Sequence, residues 1–82
     1  MATFKIIFKN RINLQGEALD HPADKLNANG AMIESYGYVA REIREGENFA
    51  RDTWEYDIRE KDADRFAEGL KTSPDIIEYK RQ

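Results

Sequence analysis

The chain contains no cysteine, which excludes a disulfide framework, a thiolate metal site and a cysteine nucleophile. Its single histidine, His21, lies between Asp20 and Asp24 at the start of a predicted short helix. Carboxylates at such a position cap the backbone and complement the helix dipole. Because a metal site needs three or more convergent ligands, we expect neither a metal site nor a cofactor. Phosphate-binding glycine motifs and serine–histidine pairs are also missing, so we expect a protein that is not an enzyme.

Long apolar runs are absent as well. Near the N-terminus only Ile6–Phe8 is continuously apolar, and lysines flank it. Such a segment is too short for a signal peptide or a membrane span. Together with the lack of cysteine, this favours a soluble chain in the reducing cytoplasm, with no membrane contact.

An excess of one charge sign is missing too. The net charge is −3, and residues 41–68 hold ten acidic and six basic groups interleaved with one another. A protein that binds duplex DNA normally presents a net basic face, and a protein that mimics DNA presents a denser run of acids. The composition therefore fits neither class.

The 82 residues, 40% of them apolar and 11% aromatic, are enough for one small domain spanning residues 1–82. Alternation of apolar and polar residues predicts strands, and helical spacing with capping residues predicts helices. The predicted elements are a strand over 3–10, a second short strand over 12–18, a short helix over 20–27, a long β-hairpin from 31 to 59, a helix over 61–70 with Asp62 as its N-cap, and a strand over 76–81.

The turn of the long hairpin decides which side chains share a face. A three-residue loop, Arg44–Glu45–Gly46, puts Gly46 where a positive φ is required. It also places Tyr36 opposite Trp54, which aligns the aromatic residues of the two arms. Because a slip of one residue moves every side chain to the other face, we adopt this register.

The element order predicts an α+β domain: an antiparallel sheet of four to five strands with two helices on one face and the long hairpin at its centre. Without the strand over 12–18, the order is β-α-β-β-α-β, which resembles the ferredoxin-like plait. The resemblance concerns the order of elements alone and implies no activity.

The two faces of this sheet carry different residues. The face under the helices is predicted to form the core, from Phe4, Ile6, Phe8, Tyr36, Tyr38, Trp54, Tyr56, Ile58, Ile77 and Tyr79, closed by Leu19, Leu26, Phe66 and Leu70. The opposite face is predicted to mix apolar and charged side chains with no helix above them. Its hairpin residues form the predicted partner-binding site: Val39, Arg41, Ile43, Phe49 and Arg51.

The sequence therefore predicts a small protein-binding module that contacts a protein partner or a second copy of itself. One specific form is a phage or mobile-element accessory protein that inhibits a host enzyme or a defence complex, as an anti-CRISPR does. Two alternatives stay open. One is a plait-type regulatory domain that senses a small ligand; the other is a single-stranded nucleic-acid binder. The latter would use the basic residues of the open face, but sheet-face binders stack bases on two or three aromatics and only Phe49 is available.

Overall fold

The computed structural model describes residues 1–10 and 25–82, which form an α+β arrangement of four antiparallel strands and one α-helix. The elements are β1 (Ala2–Asn10), β2 (Ile33–Ile43), β3 (Ala50–Ile58), a 3₁₀ turn (Glu60–Asp62), α1 (Ala63–Thr72) and β4 (Ile76–Arg81). The predicted strand over 12–18 and residues 20–24 of the predicted first helix lie outside the described residues. Residues 26–27, the end of that predicted helix, are not helical. Two helices are therefore not confirmed.

The strand order across the sheet is β2-β3-β1-β4, and each neighbouring pair is antiparallel. It follows that β1 and β2 run parallel with β3 between them, and that β3 and β4 run parallel with β1 between them. The nine-residue strands β1 and β3 are central, whereas β2 and β4 are the edges of the described sheet.

The core lies between α1 and one face of the central strands, which we call the helix face. Strand β1 alternates buried and partly buried residues from Ala2 to Phe8, as the sequence predicts. The rings of Phe4 and Phe66 meet at 5.0 Å, and those of Tyr56 and Phe66 at 6.0 Å. The buried side chains that form this cluster are Ala2, Phe4, Ile6, Phe8, Trp54, Tyr56, Ile58, Ala63, Phe66 and Leu70.

Helix α1 confirms the predicted apolar stripe but not the predicted cap. Its Ala63, Phe66 and Leu70 are buried against the sheet. Asp62 makes no side-chain capping bond; its carboxylate instead accepts hydrogen bonds from the Met32 backbone N–H, at 3.1 Å, and from Arg59. The residue thus ties the start of α1 to the segment that leads into β2.

The hairpin between β2 and β3 differs from the predicted register. Gly46 adopts the expected positive φ of 87°, in a turn where the Glu47 N–H donates to the Arg44 carbonyl. The connection, however, spans six residues, 44–49, rather than three. Tyr36 lies opposite Tyr56 and Tyr38 opposite Trp54. The shift is two residues, so the tyrosines keep their predicted face.

Strand β4 contains a β-bulge, and because of it the prediction that Ile77 belongs to the core is wrong. Glu78 pairs with Ile7 and Ile76 pairs with Phe8, which leaves Ile77 as the extra residue. Ile76 therefore packs with Tyr79 against the core, and Ile77, predicted to be core, is exposed. A bulge inserts one residue and so exchanges the faces of the residues beyond it.

Candidate functional site

The five residues predicted to form a binding site do not share one face. The open face, opposite α1, carries Arg51 and Phe49. Arg41 lies opposite the buried Asp52 and Ile43 lies opposite the buried Ala50, so both are on the helix face. Val39 lies between the pairs Tyr38–Trp54 and Ala40–Thr53 and has no residue opposite it. The predicted apolar patch on the open face is therefore not assembled.

A β-bulge at Val39 causes this division. Regular alternation from Tyr38 would place Ala40 on the helix face and Arg41 on the open face. The extra residue reverses that order for the rest of β2. Sequence alternation alone therefore assigns the wrong face to Arg41 and Ile43.

Arg41 forms a bidentate ion pair instead of contacting solvent freely. Its Nε and Nη2 donate to the two carboxylate oxygens of Asp52 at 2.7 and 2.9 Å, and Asn10 Nδ2 donates to the same carboxylate at 2.9 Å. Burial disfavours the charged form of Asp52, but the hydrogen bonds from Arg41 and Asn10 outweigh it and lower the pKa of that carboxyl. Both groups thus have structural roles on the helix face.

The ring of Phe49 is partly covered by charged side chains. The Lys9 Nζ lies 4.7 Å from the centre of its ring and the Arg51 guanidinium 5.8 Å from it. Arg51 in turn donates two hydrogen bonds to Glu47, at 3.1 and 2.8 Å. These contacts form a charged cluster at the base of the hairpin loop, which leaves little apolar surface on the open face.

The open face contains a shallow groove of about 190 Å³ between Ile7, Thr53 and Glu78. Pockets that bind small ligands usually have volumes of roughly 300–1,000 Å³ and are largely apolar. This groove is smaller, and charged side chains border it. Its geometry does not favour a ligand site.

Among the described residues, most of the exposed large apolar side chains lie along β2 and at Met32 just before it. We call this the β2 strip. It consists of the exposed large apolar residues from 32 to 43: Met32, Tyr36, Tyr38, Val39 and Ile43. The exposed fractions are 54% for Tyr36 and 62% for Ile43. Only Met1 and Ile77 join these five as exposed large apolar residues in the described part of the chain.

Trp54 lies beneath the centre of the β2 strip. Its ring is 6.0 Å from that of Tyr36 and 5.9 Å from that of Tyr38, and only 6% of the residue is exposed. Each tyrosine thus contacts Trp54 of the core and is also partly exposed. The sequence correctly placed both tyrosines on the helix face but wrongly predicted that they are buried.

The short apolar stripe of the described helix is consistent with this exposure. Among the described elements, α1 alone supplies helical apolar side chains, and its stripe is short: Ala63, Phe66, Ala67 and Leu70. A helix about 10 Å wide covers roughly two strands spaced about 4.8 Å apart. The edge strand of a four-stranded sheet is then beyond its reach.

Residues 1–10 and 25–82 contain no group of three or more His, Asp or Glu side chains that could hold a metal ion. Within the same ranges, no helix has the length and apolar character needed to cross a membrane. His21 lies outside them.

Comparisons with known proteins give no assignment: no protein-family model, no curated protein and no solved structure matches the chain.

Proposed function

We propose that the chain is a small protein-binding module that contacts its partner through the β2 strip. The observation that supports this is the concentration of exposed apolar side chains on one edge strand. Five of the seven large apolar residues exposed in the described chain lie between Met32 and Ile43. Large exposed apolar side chains concentrated in one part of a protein surface are typical of interaction sites.

The chemistry of the strip fits a protein surface. Tyrosine and methionine are enriched at protein interfaces, where the aromatic ring supplies contact area and the hydroxyl supplies a hydrogen bond. The strip also lies next to the ordered core, since Tyr38 rests on Trp54. A rigid support of this kind lowers the entropy lost on binding.

Affinity capture with matched variants tests this proposal. Ile43→Lys introduces a charge into the strip, and Ile77→Lys makes the same change at a bulge on the opposite edge strand. We expect wild type and Ile77→Lys to retain the same protein, or untagged copies of the chain, and Ile43→Lys to lose it. If all three baits retain the same proteins, or none retains any, the proposal is wrong.

The two alternative functions gain no support from the described surface. A small-ligand sensor needs a larger and more apolar pocket than the groove beside Thr53. The single-stranded nucleic-acid binder was predicted to use the open face, and the only aromatic ring on the described open face is that of Phe49, which lies against Lys9 and Arg51. The exposed rings of Tyr36 and Tyr38 lie on the helix face instead. The role as a phage or mobile-element inhibitor of a host or defence complex stays a prediction, because the strip indicates the chemistry of a partner and not its biological setting.

We extend the proposal to the complete fold. The observed strand order consists of two interleaved β-x-β units, which is the arrangement expected of a ferredoxin-like plait. Helix α1 connects β3 to β4 in one unit. A plait requires a second helix between β1 and β2, where the sequence predicts one over 20–27. That helix would pack beside α1 on the helix face and cover part of the β2 strip, so the complete plait and a fully exposed strip exclude one another. Backbone chemical shifts of helical sign for those residues would support the plait, and shifts of extended sign would exclude it.

A further inference from the structure

The segment that leads into β2 contains the one Asn–Gly pair of the sequence, Asn29–Gly30. The two residues occupy the central positions of a β-turn in which the Ala31 N–H donates to the Ala28 carbonyl at 3.0 Å. Asn29 has a φ of 54° and Gly30 a φ of 79°, and two positive values in succession are typical of a type I′ turn. Both residues are exposed, so water and hydroxide reach them.

An Asn–Gly pair is reactive without an enzyme. The Gly30 nitrogen, once deprotonated, can attack the side-chain carbonyl carbon of Asn29, and it is unhindered because glycine has no Cβ. A bond forms between that nitrogen and Cγ, the bond from Cγ to Nδ2 breaks, and Nδ2 takes up a proton and leaves as ammonia. Water then opens the succinimide ring at either carbonyl to give aspartate or isoaspartate. The reaction consumes only water and needs no oxidant or reductant.

The folded chain uses the same amide as a structural group. Asn29 Nδ2, the leaving nitrogen, donates a hydrogen bond to the Arg65 carbonyl of α1 at 3.1 Å. The Asn29 N–H donates to the side-chain oxygen of Asn27 at 3.0 Å. The Asn29 Cβ also lies close to α1, since a Cβ added at Gly69 would approach it to 2.9 Å. These contacts hold the side chain of Asn29 against the helix.

We propose that Asn29 is a site of spontaneous deamidation, and that its rate is set by the opening of the contact between α1 and the segment that leads into β2. Ring closure requires Cγ to turn towards the Gly30 nitrogen, and this movement breaks the hydrogen bond from Nδ2 to the Arg65 carbonyl. Neither product has an amide N–H to donate to that carbonyl, and isoaspartate adds a carbon atom to the backbone of the turn. Deamidation therefore weakens the contact irreversibly. None of these residues belongs to the β2 strip, so this proposal is independent of the proposed function.

Incubation of the purified chain, followed by peptide mass spectrometry, tests the site. Asn27 is the internal control, because it lies in the same segment and is followed by alanine. We expect Asn29 to deamidate at least about tenfold faster than Asn27, since the nitrogen that follows it is unhindered. The rate should rise with pH, because the attacking nitrogen must lose its proton. Equal rates at the two residues, or no conversion of Asn29, would overturn the site.

Variants that loosen the contact test the coupling. Gly69→Ala inserts a methyl group against the Asn27 carbonyl oxygen, and Ser73→Ala removes the hydroxyl that accepts a hydrogen bond from the Asn27 N–H. A reaction that proceeds through an open state follows the population of that state. We therefore expect Asn29 to deamidate at least about fivefold faster in both variants than in wild type. The control Gly37→Ala, whose added Cβ contacts nothing, should match wild type.

Asn48, which is exposed in the hairpin loop, distinguishes local opening from unfolding. Its rate should be the same in Ser73→Ala as in wild type, and near-ultraviolet circular dichroism of Trp54 confirms that this variant is folded. If Gly69→Ala does not fold, Ser73→Ala alone decides. An unchanged rate at Asn29 in Ser73→Ala, or an equal acceleration at Asn48, would overturn the coupling. The deamidated chain should also unfold at a lower urea concentration than the fresh chain, and equal midpoints would contradict the weakening of the contact.

Discussion

Gly69 lies where α1 passes against the segment that leads into β2. A Cβ added at this position would overlap the Asn27 carbonyl oxygen and approach the Asn29 Cβ to 2.9 Å. Around this contact, the Asn27 N–H donates to the Ser73 hydroxyl and Asn29 Nδ2 donates to the Arg65 carbonyl. The glycine therefore permits a close backbone approach rather than a special backbone conformation.

Replacing Gly69 by alanine should destabilise the protein, although Gly→Ala in a helix normally increases the free energy of unfolding. In a helix interior, Gly→Ala normally stabilises by roughly 1 kcal/mol. Here we expect the free energy of unfolding to fall by about 1–3 kcal/mol, because the new methyl group forces the backbone apart. Urea unfolding measures the change. Gly37→Ala is the control, since nothing lies within 4 Å of its added Cβ. A stabilised Gly69→Ala variant would contradict this packing.

At the residue scale, the sequence pattern predicted which side chains are buried more accurately than it predicted which side chains contact one another. The alternation of β1 correctly predicted the burial of Phe4, Ile6 and Phe8. The Arg41–Asp52 pair was missed because residues eleven apart on two strands meet only in one register. A bulge cannot be located from the polarity pattern when the residues around it, such as Tyr38 and Val39, are all apolar.

At the scale of elements, two of the β-bulges, at Val39 and Ile77, explain most of the differences from prediction. Strand positions and helix α1 follow from polarity patterns, which depend on local sequence. The sheet face on which a side chain lies depends on counting residues from a fixed point in the strand. One inserted residue therefore reverses the face of every residue beyond it in that strand. Val39 in β2 and Ile77 in β4 are such residues. They account for the wrong faces assigned to Arg41, Ile43 and Ile76.

The hairpin turn gives a prediction at this scale. Gly46 has a φ of 87°, and no heavy atom lies within 4 Å of an added Cβ. Gly46→Ala should therefore cost about 1 kcal/mol through backbone strain alone, without a steric clash. Chemical denaturation measures this, and Gly46→Asn should cost less because asparagine adopts positive φ more readily. Equal stability of Gly46→Ala and wild type would show that the turn does not hold Gly46 in this conformation.

At the scale of the whole molecule, carboxylates with lowered pKa values among the described residues link stability to pH, and Asp52, Asp57 and Asp62 are three of them. Hydrogen bonds from Ser35 and Thr3 lower the pKa of Asp57, and the Met32 backbone N–H lowers that of Asp62. The pKa of Asp52 is lowered as well, although its burial opposes this. Because each pKa is lower in the folded than in the unfolded chain, the associated stability is fully present above about pH 4 and is lost as the pH falls through the folded-state values.

Asp52→Asn isolates one part of this dependence. We expect the variant to lose about 2 kcal/mol of stability at pH 7, because the bidentate charged hydrogen bonds from Arg41 are lost. We also expect its stability to decline less steeply than that of wild type below about pH 4. Denaturant unfolding at a series of pH values measures both. Asp64→Asn is the control, since that side chain is fully exposed. An unchanged acid dependence in Asp52→Asn would contradict the role of the ion pair.

The sequence was sufficient to predict an antiparallel α+β arrangement, but not which strand lies at its edge. Strand order depends on contacts between distant segments, and alternation is the same for central and edge strands. For this reason the candidate binding surface lies along β2 in the structure, whereas the sequence predicted it on the open face. Tyr36 and Tyr38 were predicted to be core because their pattern matches that of Trp54, yet their edge position exposes them.

The most direct test of the β2 strip as a binding surface is to record amide and Trp54 indole NMR shifts of the labelled chain while the protein retained in the affinity experiment, or the unlabelled chain if copies are retained, is added. We predict progressive shifts for residues 32–43 and for the Trp54 indole, which lies beneath Tyr36 and Tyr38. Residues of the open face, such as Lys5, Thr53 and Glu78, should not shift. Changes confined to the open face, or none at any concentration, would contradict binding through the strip.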